Sequence, residues 1–497
     1  VSKKPDPKII ILGGGTAGWM TANLLQHTLS QHEFTVTLIE SPDIGIIGVG
    51  EGSTPHLKVF FDTLGIEEQQ WMPKCNATYK NGITFKGWSL EPGFEHYFHP
   101  FPSRPDRQTA GGFLINSLLR RQGHDVDPHP NQYFLSAYLA KHFKHPKTQA
   151  KFPLSINYGY HFDSALLGEY LKRVAIDRGV KHIEAKIDEV KTHLSGDIQA
   201  LIDENGHSYT ADWFVDCSGF AAVLLQKTLG TEFVEYKDNL FNDAAVAIPS
   251  AATKPRNVET ISTAMSAGWS WDIPLTNRTG NGYVYSTQYI EPEQAELELR
   301  SKLGLLDAEV PVKHLKMRVG CAKQHWVKNC LAVGLSQGFI EPLEATALHL
   351  VLYTVETFIS AFTSGQFSNQ HQAEFNQLIS SRFEGIRDYI VCHYKVNSRN
   401  KGNYWLDNAN NKHLSDSLLH ILDCWDKGGD LTQEINRQNI GHYYPAVSWH
   451  CLLAGYGRFP PLGASSPATH DVNIAEIQHF IRQCAQGFLE QGIDERC

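Results

Sequence analysis

The sequence predicts an α/β fold built on a single dinucleotide-binding βαβ unit, with a mainly helical subdomain interleaved. Three observations predict it. The apolar run Ile9-Ile10-Ile11-Leu12 reads as a buried parallel strand, and Gly13, Gly15 and Gly18 follow at G-x-G-x-x-G spacing before apolar residues resume on a helical period (Trp19, Met20, Leu24, Leu25). A second strand pattern, Thr35 to Ile39, ends in Glu40, where an acidic residue meets ribose hydroxyls in such folds. The strand-to-glycine theme returns at Trp213-Phe214-Val215-Asp216-Cys217-Ser218-Gly219, as the far side of the fold requires. In the first motif Gly13 permits the tight turn, Gly15 lets a pyrophosphate approach the backbone, and Gly18 lets the helix pack on the strand. A Gly-rich turn in an ordinary α/β domain is the plain alternative.

Composition bounds the rest. A chain of 497 residues with 42% hydrophobic and 20% charged residues has the balance of an ordinary globular protein with a large core. A formal net charge of −9 gives no electrostatic case for nucleic acid or an anionic membrane as partner. The nine cysteines include no C-x-x-C pair, so free thiols and a cytoplasmic location are expected. No apolar run approaches the ~18 residues of a membrane span, and no metal site is expected.

Along the chain, Ile46 to Pro55 is too glycine-rich for a packed element and reads as a loop approached closely by something. A helix pattern follows through Leu57, Val59, Phe60, Phe61 and Leu64, and a strand pattern from Ile83 to Trp88. The stretch to about residue 150, rich in His, Pro and aromatics, suits an insertion lining a pocket better than a sheet layer. Asp163 is placed to cap a helix carrying Leu166, Leu167, Tyr170, Leu171 and Val174. A strand around His182–Val190, a hairpin around Ile198–Tyr209 and antiparallel strands over 258–290 come next. Residues 331–335 make one more short strand, leading through Glu341-Pro342-Leu343-Glu344 into an apolar helix, about Ala345 to Phe362. The expected division is 1–90 with 151–360 for the nucleotide-binding domain, and 91–150 with 361–497 for the helical and aromatic subdomain.

At Trp269-x-Trp271-x-Ile273-Pro274, together with Gly13–Gly18, Gly48–Thr54 and Glu341–Thr346, the chain resembles the flavin-dependent tryptophan halogenases. The resemblance reaches to about residue 460. It implies a glutathione-reductase-like FAD-binding fold with a single dinucleotide site, holding FAD through Gly13, Gly15, Thr16, Ala17, Gly18, Glu40, Gly48, Val49, Gly50, Glu51, Ser53 and Leu335. Lys80, in Asn76-Ala77-Thr78-Tyr79-Lys80, matches the family's catalytic lysine, which receives hypohalous acid made at the reduced flavin. Glu344 matches the active-site glutamate; on local physics alone it would be a first-turn helix acid favoured by the macrodipole. The halide, chloride or bromide, is implied at the Thr346 hydroxyl and the N–H groups of Thr346 and Ala347. The tryptophan-specific members carry Ser, Thr and Gly where this chain has Ala345, Thr346 and Ala347. The Trp269/Trp271 pair is implied to separate substrate from flavin, which simple packing of i and i+2 on one strand face would equally explain.

His99 and Phe101 match the family's His-x-Phe of the indole sandwich, and Tyr443, Tyr444 and Trp449 are the remaining substrate candidates, with core aromatics as their alternative. The acid that clamps free tryptophan downstream of the Tyr-Tyr pair is missing, which favours an indole-like or larger aromatic substrate. With only one G-x-G-x-x-G after a strand, reduced FAD is expected from a separate NAD(P)H-dependent flavin reductase. A homodimer is left open. The competing functions are a flavin monooxygenase hydroxylating an aromatic substrate and a catalytically idle flavin-binding protein.

Overall fold

The computed structural model describes residues 6–43, 50–149, 152–463 and 472–490. They fall into two compact units, Val1–Ala77 with Phe162–Lys237 and Arg318–Glu384, and Thr78–His161 with Asp238–Met317 and Gly385–Cys497. These bounds differ from the expected division: 78–90 and 238–317 group with the second unit, because the parallel pairing of Gly82–Lys86 with Thr260–Met265 draws both into one sheet.

The first unit is built on a six-stranded sheet in the order 326–327, 330–332, 213–216, 8–12, 35–40, 181–184. Lys8–Leu12 runs parallel to both neighbours, in register Leu12↔Ile39 and Leu12↔Asp216, so the carboxyl ends of three strands line up at one edge. Ligands of open parallel sheets bind at that edge. Ile9, Ile10, Ile11 and Leu12 are all buried, as an apolar run without alternation requires when both faces are covered. Ile10 and Leu12 join Ile39, Phe214 and Leu224 in one core cluster. Asp163 caps the helix Ser164–Asp177 by accepting from the N–H groups of Ala165 and Leu166.

Four local patterns differ from expectation. The single strand expected over 182–190 is two, Lys181–Glu184 in the main sheet and Ile187–Thr192 in a separate three-stranded sheet. The strand expected over 331–335 ends at Ala332, and Leu335 lies on the 3-10 turn Gly334–Ser336. Within the glycine-rich loop, Gly50–Gly52 is a short strand; Gly48 and Val49 lie outside the described residues. The apolar helix starts at Ala347, not near Pro342, because Ala345 takes a left-handed conformation (φ 55°) that separates it from the 3-10 turn Pro342–Glu344.

That helix, Ala347–Ser364, has the length and mean hydropathy (18 residues, 1.2) at which composition alone permits a membrane span. It packs instead on the helices Thr16–Leu29 and His56–Thr63 of its own unit. The eight cysteines among the described residues are free thiols.

The second unit centres on a seven-stranded sheet in the order 313–316, 244–251, 278–285, 268–274, 260–265, 82–86, 96–100. Here the expected pocket-lining insertion is corrected. His96–Pro100 is the edge strand, paired antiparallel to Gly82–Lys86 with His99 opposite Ile83. His-Tyr-Phe-His-Pro has no apolar alternation to announce a strand, yet Tyr97, Phe98 and His99 are buried there.

Candidate active site

In the first unit the glycines separate by cause. A Cβ on Gly13 (φ +114°) would stand 2.2 Å from the Cys217 carbonyl oxygen, and one on Gly18 would stand 2.0 Å from the Gly13 carbonyl oxygen. Both glycines are demanded by the packing of turn, strand and helix. Gly15 is different. Its φ of −70° suits any residue, and a Cβ there would meet nothing within 4 Å. Neither conformation nor packing explains glycine at this position, whereas close approach of a ligand to the backbone does. Gly15 is also the N-cap of Thr16–Leu29, and no side chain caps that helix, leaving its first N–H groups to a phosphate. Ala17 sits against the Leu335 turn, with its Cβ 2.8 Å from where a Cβ of Gly334 would be.

Glu40 lies over Gly14, whose Cβ would fall 1.5 Å from the Glu40 Oε2. Lys172 and His182 both donate to the other oxygen, at 2.7 and 2.8 Å. Ser53 is buried, and burial pushes the Glu51 carboxyl up to about 7, partly offset by a hydrogen bond with Ser164 and reinforced by the charge of Asp163. Asp216, at the end of Trp213–Asp216, holds the neighbouring turn by accepting from Ser218, Leu224 and Leu225, and burial raises its carboxyl. The residues present therefore fit the pyrophosphate and ribose of a dinucleotide such as FAD. Gly15→Ala should lower the unfolding free energy by no more than the ~1 kcal/mol of an N-cap change yet weaken FAD binding about tenfold or more. Gly18→Ala should instead destabilise the fold by roughly 1–3 kcal/mol. Thermal melts and flavin fluorescence titration separate the two effects; equal FAD affinity in Gly15→Ala would remove the ligand explanation.

The same unit carries Glu344, Thr346 and Ala347. Glu344 is buried on the 3-10 turn, outside the helix that follows. Thr346 is the N-cap residue of Ala347–Ser364, but its hydroxyl caps nothing: Oγ1 is buried and makes no hydrogen bond. A buried hydroxyl without a partner beside the free N–H groups of an 18-residue helix is a donor set suited to an anion. The left-handed Ala345 that aims this turn costs roughly 1–2 kcal/mol for a residue with a Cβ, strain of the kind that accumulates at functional sites.

In the second unit Lys80 is fully buried at the end of the strand Thr78–Lys80, which pairs antiparallel with Gly159–His161. Its Nζ stands 5.6 Å from the Phe101 ring centroid. His161 contacts the Thr78 hydroxyl at 3.3 Å and the Thr260 hydroxyl at 2.9 Å. Burial and then the charge of Lys80 hold its imidazole neutral, well below the usual histidine range. The Thr78 hydroxyl also donates to the Pro274 carbonyl at 2.6 Å, tying the lysine strand to the end of the Trp-x-Trp strand.

Trp269 and Trp271 share one sheet face with Thr260, Ser262, Ile83 and His99, as the register and the two-residue strand period require. Both indoles are buried with unpartnered N–H groups, and Trp271 fills the space over Gly282. His99, Tyr444 and Trp449 meet around a residue that sequence reasoning missed, Tyr389. Its ring stacks on Tyr444 (3.6 Å, 7°) and takes Trp449 edge-on at 4.8 Å and His99 edge-on at 6.1 Å. Its hydroxyl donates to the Ser448 carbonyl at 3.1 Å. On a long helix, Gln372–Lys395, an aromatic at helical spacing looks like any core residue, so no local signal marks it. Tyr443 stands outside this group: it packs on Gly385, where a Cβ would fall 2.2 Å from its ring.

Lys80 and the aromatic group thus belong to the second unit; the glycine motif, Glu40, Glu344, Thr346 and Ala347 belong to the first. Comparison with known proteins gives this set its context. The tryptophan halogenase family pattern matches residues 8–471. Tryptophan 6-halogenase SttH of Streptomyces toxytricini is 35% identical over 97% of this chain and 96% of its own. Its crystal structure superposes with a TM-score of 0.86 at 33% identity, covering 98% of this chain and 99% of that one. Tryptophan 7-halogenase RebH of Lentzea aerocolonigenes is 32% identical over 91% of this chain and 90% of its own. BrvH, a flavin-dependent halogenase from Brevundimonas sp. BAL3, superposes with a TM-score of 0.80 at 29% identity, covering 97% of each chain. With sequence and fold matched over nearly its full length, the chain belongs to the tryptophan halogenase family of flavin-dependent halogenases.

Proposed function

We propose that this enzyme halogenates an indole-type aromatic through hypohalous acid delivered to Lys80, using FADH2 from a separate NAD(P)H-dependent reductase. The observation that carries the reading is a fully buried lysine with the Phe101 ring 5.6 Å from its Nζ, in a family whose named members include tryptophan halogenases. Bound at the Gly13–Gly18 turn and Glu40, reduced FAD with oxygen supplies the two-electron oxidation of halide. The chain's own residues do the rest. The Thr346 hydroxyl and the first N–H groups of its helix fix the halide. The Lys80 side chain holds the electrophilic halogen by hydrogen bond or as an N-halo adduct, and a dry, apolar surround keeps it from water. His99, Phe101, Tyr389, Tyr444 and Trp449 offer ring faces and edges to a planar substrate. Glu344 accepts the ring proton as the product rearomatises.

Protein, FAD, reductase, NADH and bromide incubated with indole should give bromoindole, and no product without bromide. Halide-independent hydroxylation would replace this reading with a monooxygenase. A second prediction concerns substrate choice. No acidic residue occurs between Glu434 and Asp471, and Pro445 leads from Tyr444 directly into the helix Ala446–Gly455, so this segment offers no carboxylate to a substrate ammonium. Glu434 itself is committed to Arg437 at 2.7 Å. A charge-assisted hydrogen bond is worth roughly 1.5–3 kcal/mol. In a mixed assay at equal concentration, indole should therefore outcompete free tryptophan by about tenfold or more; preference for tryptophan would show that an acid elsewhere supplies the clamp.

A further inference from the structure

The helix Ala347–Ser364, capped by Thr346, carries a second feature in its first turn. His349 faces His56 of the helix His56–Thr63, Nδ1 to Nδ1 at 3.1 Å, and the other nitrogen of His56 is held by both oxygens of Glu356 at 2.9 and 3.0 Å. All three residues lie in the first unit. His56 also stands two residues beyond Thr54, its N–H directed at the Thr54 hydroxyl at 3.4 Å. Thr346 and His349, three residues apart, share a helix face with about 5–6 Å between Cβ atoms.

Two imidazole nitrogens at this distance share one proton, since two lone pairs or two N–H groups would repel. With Glu356 accepting from the Nε2–H of His56, three arrangements satisfy the chain. In the first, both rings are neutral and His349 donates from Nδ1, leaving its Nε2 bare. In the second, His56 carries both protons and donates to His349, which then holds its proton on Nε2; in the third, His349 carries both protons and donates to His56. The charged forms differ from the neutral one by one proton, and taking it up places a positive charge behind the anion-binding turn.

The surroundings decide which ring bears the charge. His349 is held neutral, down at about 3, by burial first, then by the charges of His56 and Arg382. Arg382, on the helix Gln372–Lys395, stands 3.9 Å over the Tyr353 ring, which stacks on His349. Lys58 and Asp62, beside His56 on its own helix, neutralise each other at 2.7 Å. The helix Thr16–Leu29, also packed on Ala347–Ser364, contributes one titratable group, His27, in its last turn. Of the two rings, His56 is the one that faces a carboxylate, Glu356 at 2.9 and 3.0 Å.

We propose that His56 and His349 form a proton-loaded pair that couples halide binding at the Thr346 turn to the uptake of one proton. The proposal rests on the halogenase reading above and deepens it by making the pair a positioning device for the halide. It also matches the net reaction, ArH + X⁻ + FADH2 + O2 + H⁺ → ArX + FAD + 2 H2O, which consumes one proton with each halide. By linkage, a bound anion raises the pair's affinity for a proton, so lower pH strengthens halide binding.

The test titrates bromide into the FAD-loaded protein by bromide NMR line broadening between about pH 8.5 and about pH 6, the range in which histidine titrates. Proton uptake is read in parallel in weakly buffered solution. Bromide affinity should rise about tenfold toward the lower pH, with up to one proton bound per bromide. His56→Gln should lose the proton uptake and the part of the pH dependence that the pair supplies, leaving at most that of the Glu51 carboxyl, which is pushed up to about 7. Glu356→Gln, which removes the carboxylate opposite His56, should move the transition toward lower pH. Flat affinity without proton uptake in the parent, or an unchanged slope in His56→Gln, overturns the proposal. If His56→Gln does not fold, an unmoved transition in Glu356→Gln overturns it instead. A parent that brominates indole yet shows flat affinity sinks this inference alone; one that neither binds bromide nor brominates sinks the halogenase reading with it.

Discussion

Lys80→Ala should abolish bromination of indole, by about 10³-fold or more, while FAD affinity and NADH-driven flavin reoxidation should stay at parental values. The asymmetry follows from where the lysine is and what it costs. A buried ammonium is among the most expensive groups a core can hold, and a cation retained only for stability would be better replaced by an apolar chain of the same length. Lys80 is nevertheless fully buried, at a strand end, with the Phe101 ring 5.6 Å from its Nζ and a neutral His161 nearby. Lys80→Met, which keeps the volume, should be equally inactive. Product formation and flavin reoxidation measured in the same reaction separate halogen delivery from halide oxidation. Bromination by Lys80→Ala at the parental rate would make the lysine a bystander.

How much of this was legible depends on whether the signal was local. The nucleotide end was read from the sequence because each of its requirements is written in adjacent residues: an unbroken apolar strand, glycines at fixed spacing, an acid at the end of the next strand. The register then brought Leu12, Ile39 and Asp216 level at one edge, as that reading requires. His99 was found as a residue but not as a strand residue, since the pairing that makes His96–Pro100 an edge strand is with Gly82–Lys86 and its own pattern lacks alternation. Tyr443 and Tyr444 are indistinguishable in sequence, and only packing assigns one to Gly385 and the other to the stack on Tyr389. The His56–His349–Glu356 group joins residues about 300 positions apart and left no trace in any local pattern. Lys80 stands out in the sequence only through the resemblance, because a lysine in a strand otherwise reads as surface charge.

Glu344→Gln should lower kcat by about 10²–10⁴-fold with little change in KM for indole, because it removes a proton acceptor and little else. The substitution keeps shape and one acceptor oxygen. The competing explanation, a first-turn acid stabilising a helix dipole, predicts a different result, and the fold weakens it. The helix begins at Ala347 with Thr346 as its N-cap, and the left-handed Ala345 intervenes, so Glu344 lies before the turn in which a carboxylate acts on the dipole. It is buried there, at a place where a carboxylate kept for a surface electrostatic benefit of ~0.3–1 kcal/mol would lose more in desolvation. The decisive measurement pairs steady-state bromination with a thermal melt. A large fall in kcat at an unchanged melting temperature assigns Glu344 to the chemistry, and a solvent isotope effect that grows in the variant would show that proton removal has become the slow step. A lowered melting temperature with full specific activity would return Glu344 to a structural role and leave ring deprotonation to another base.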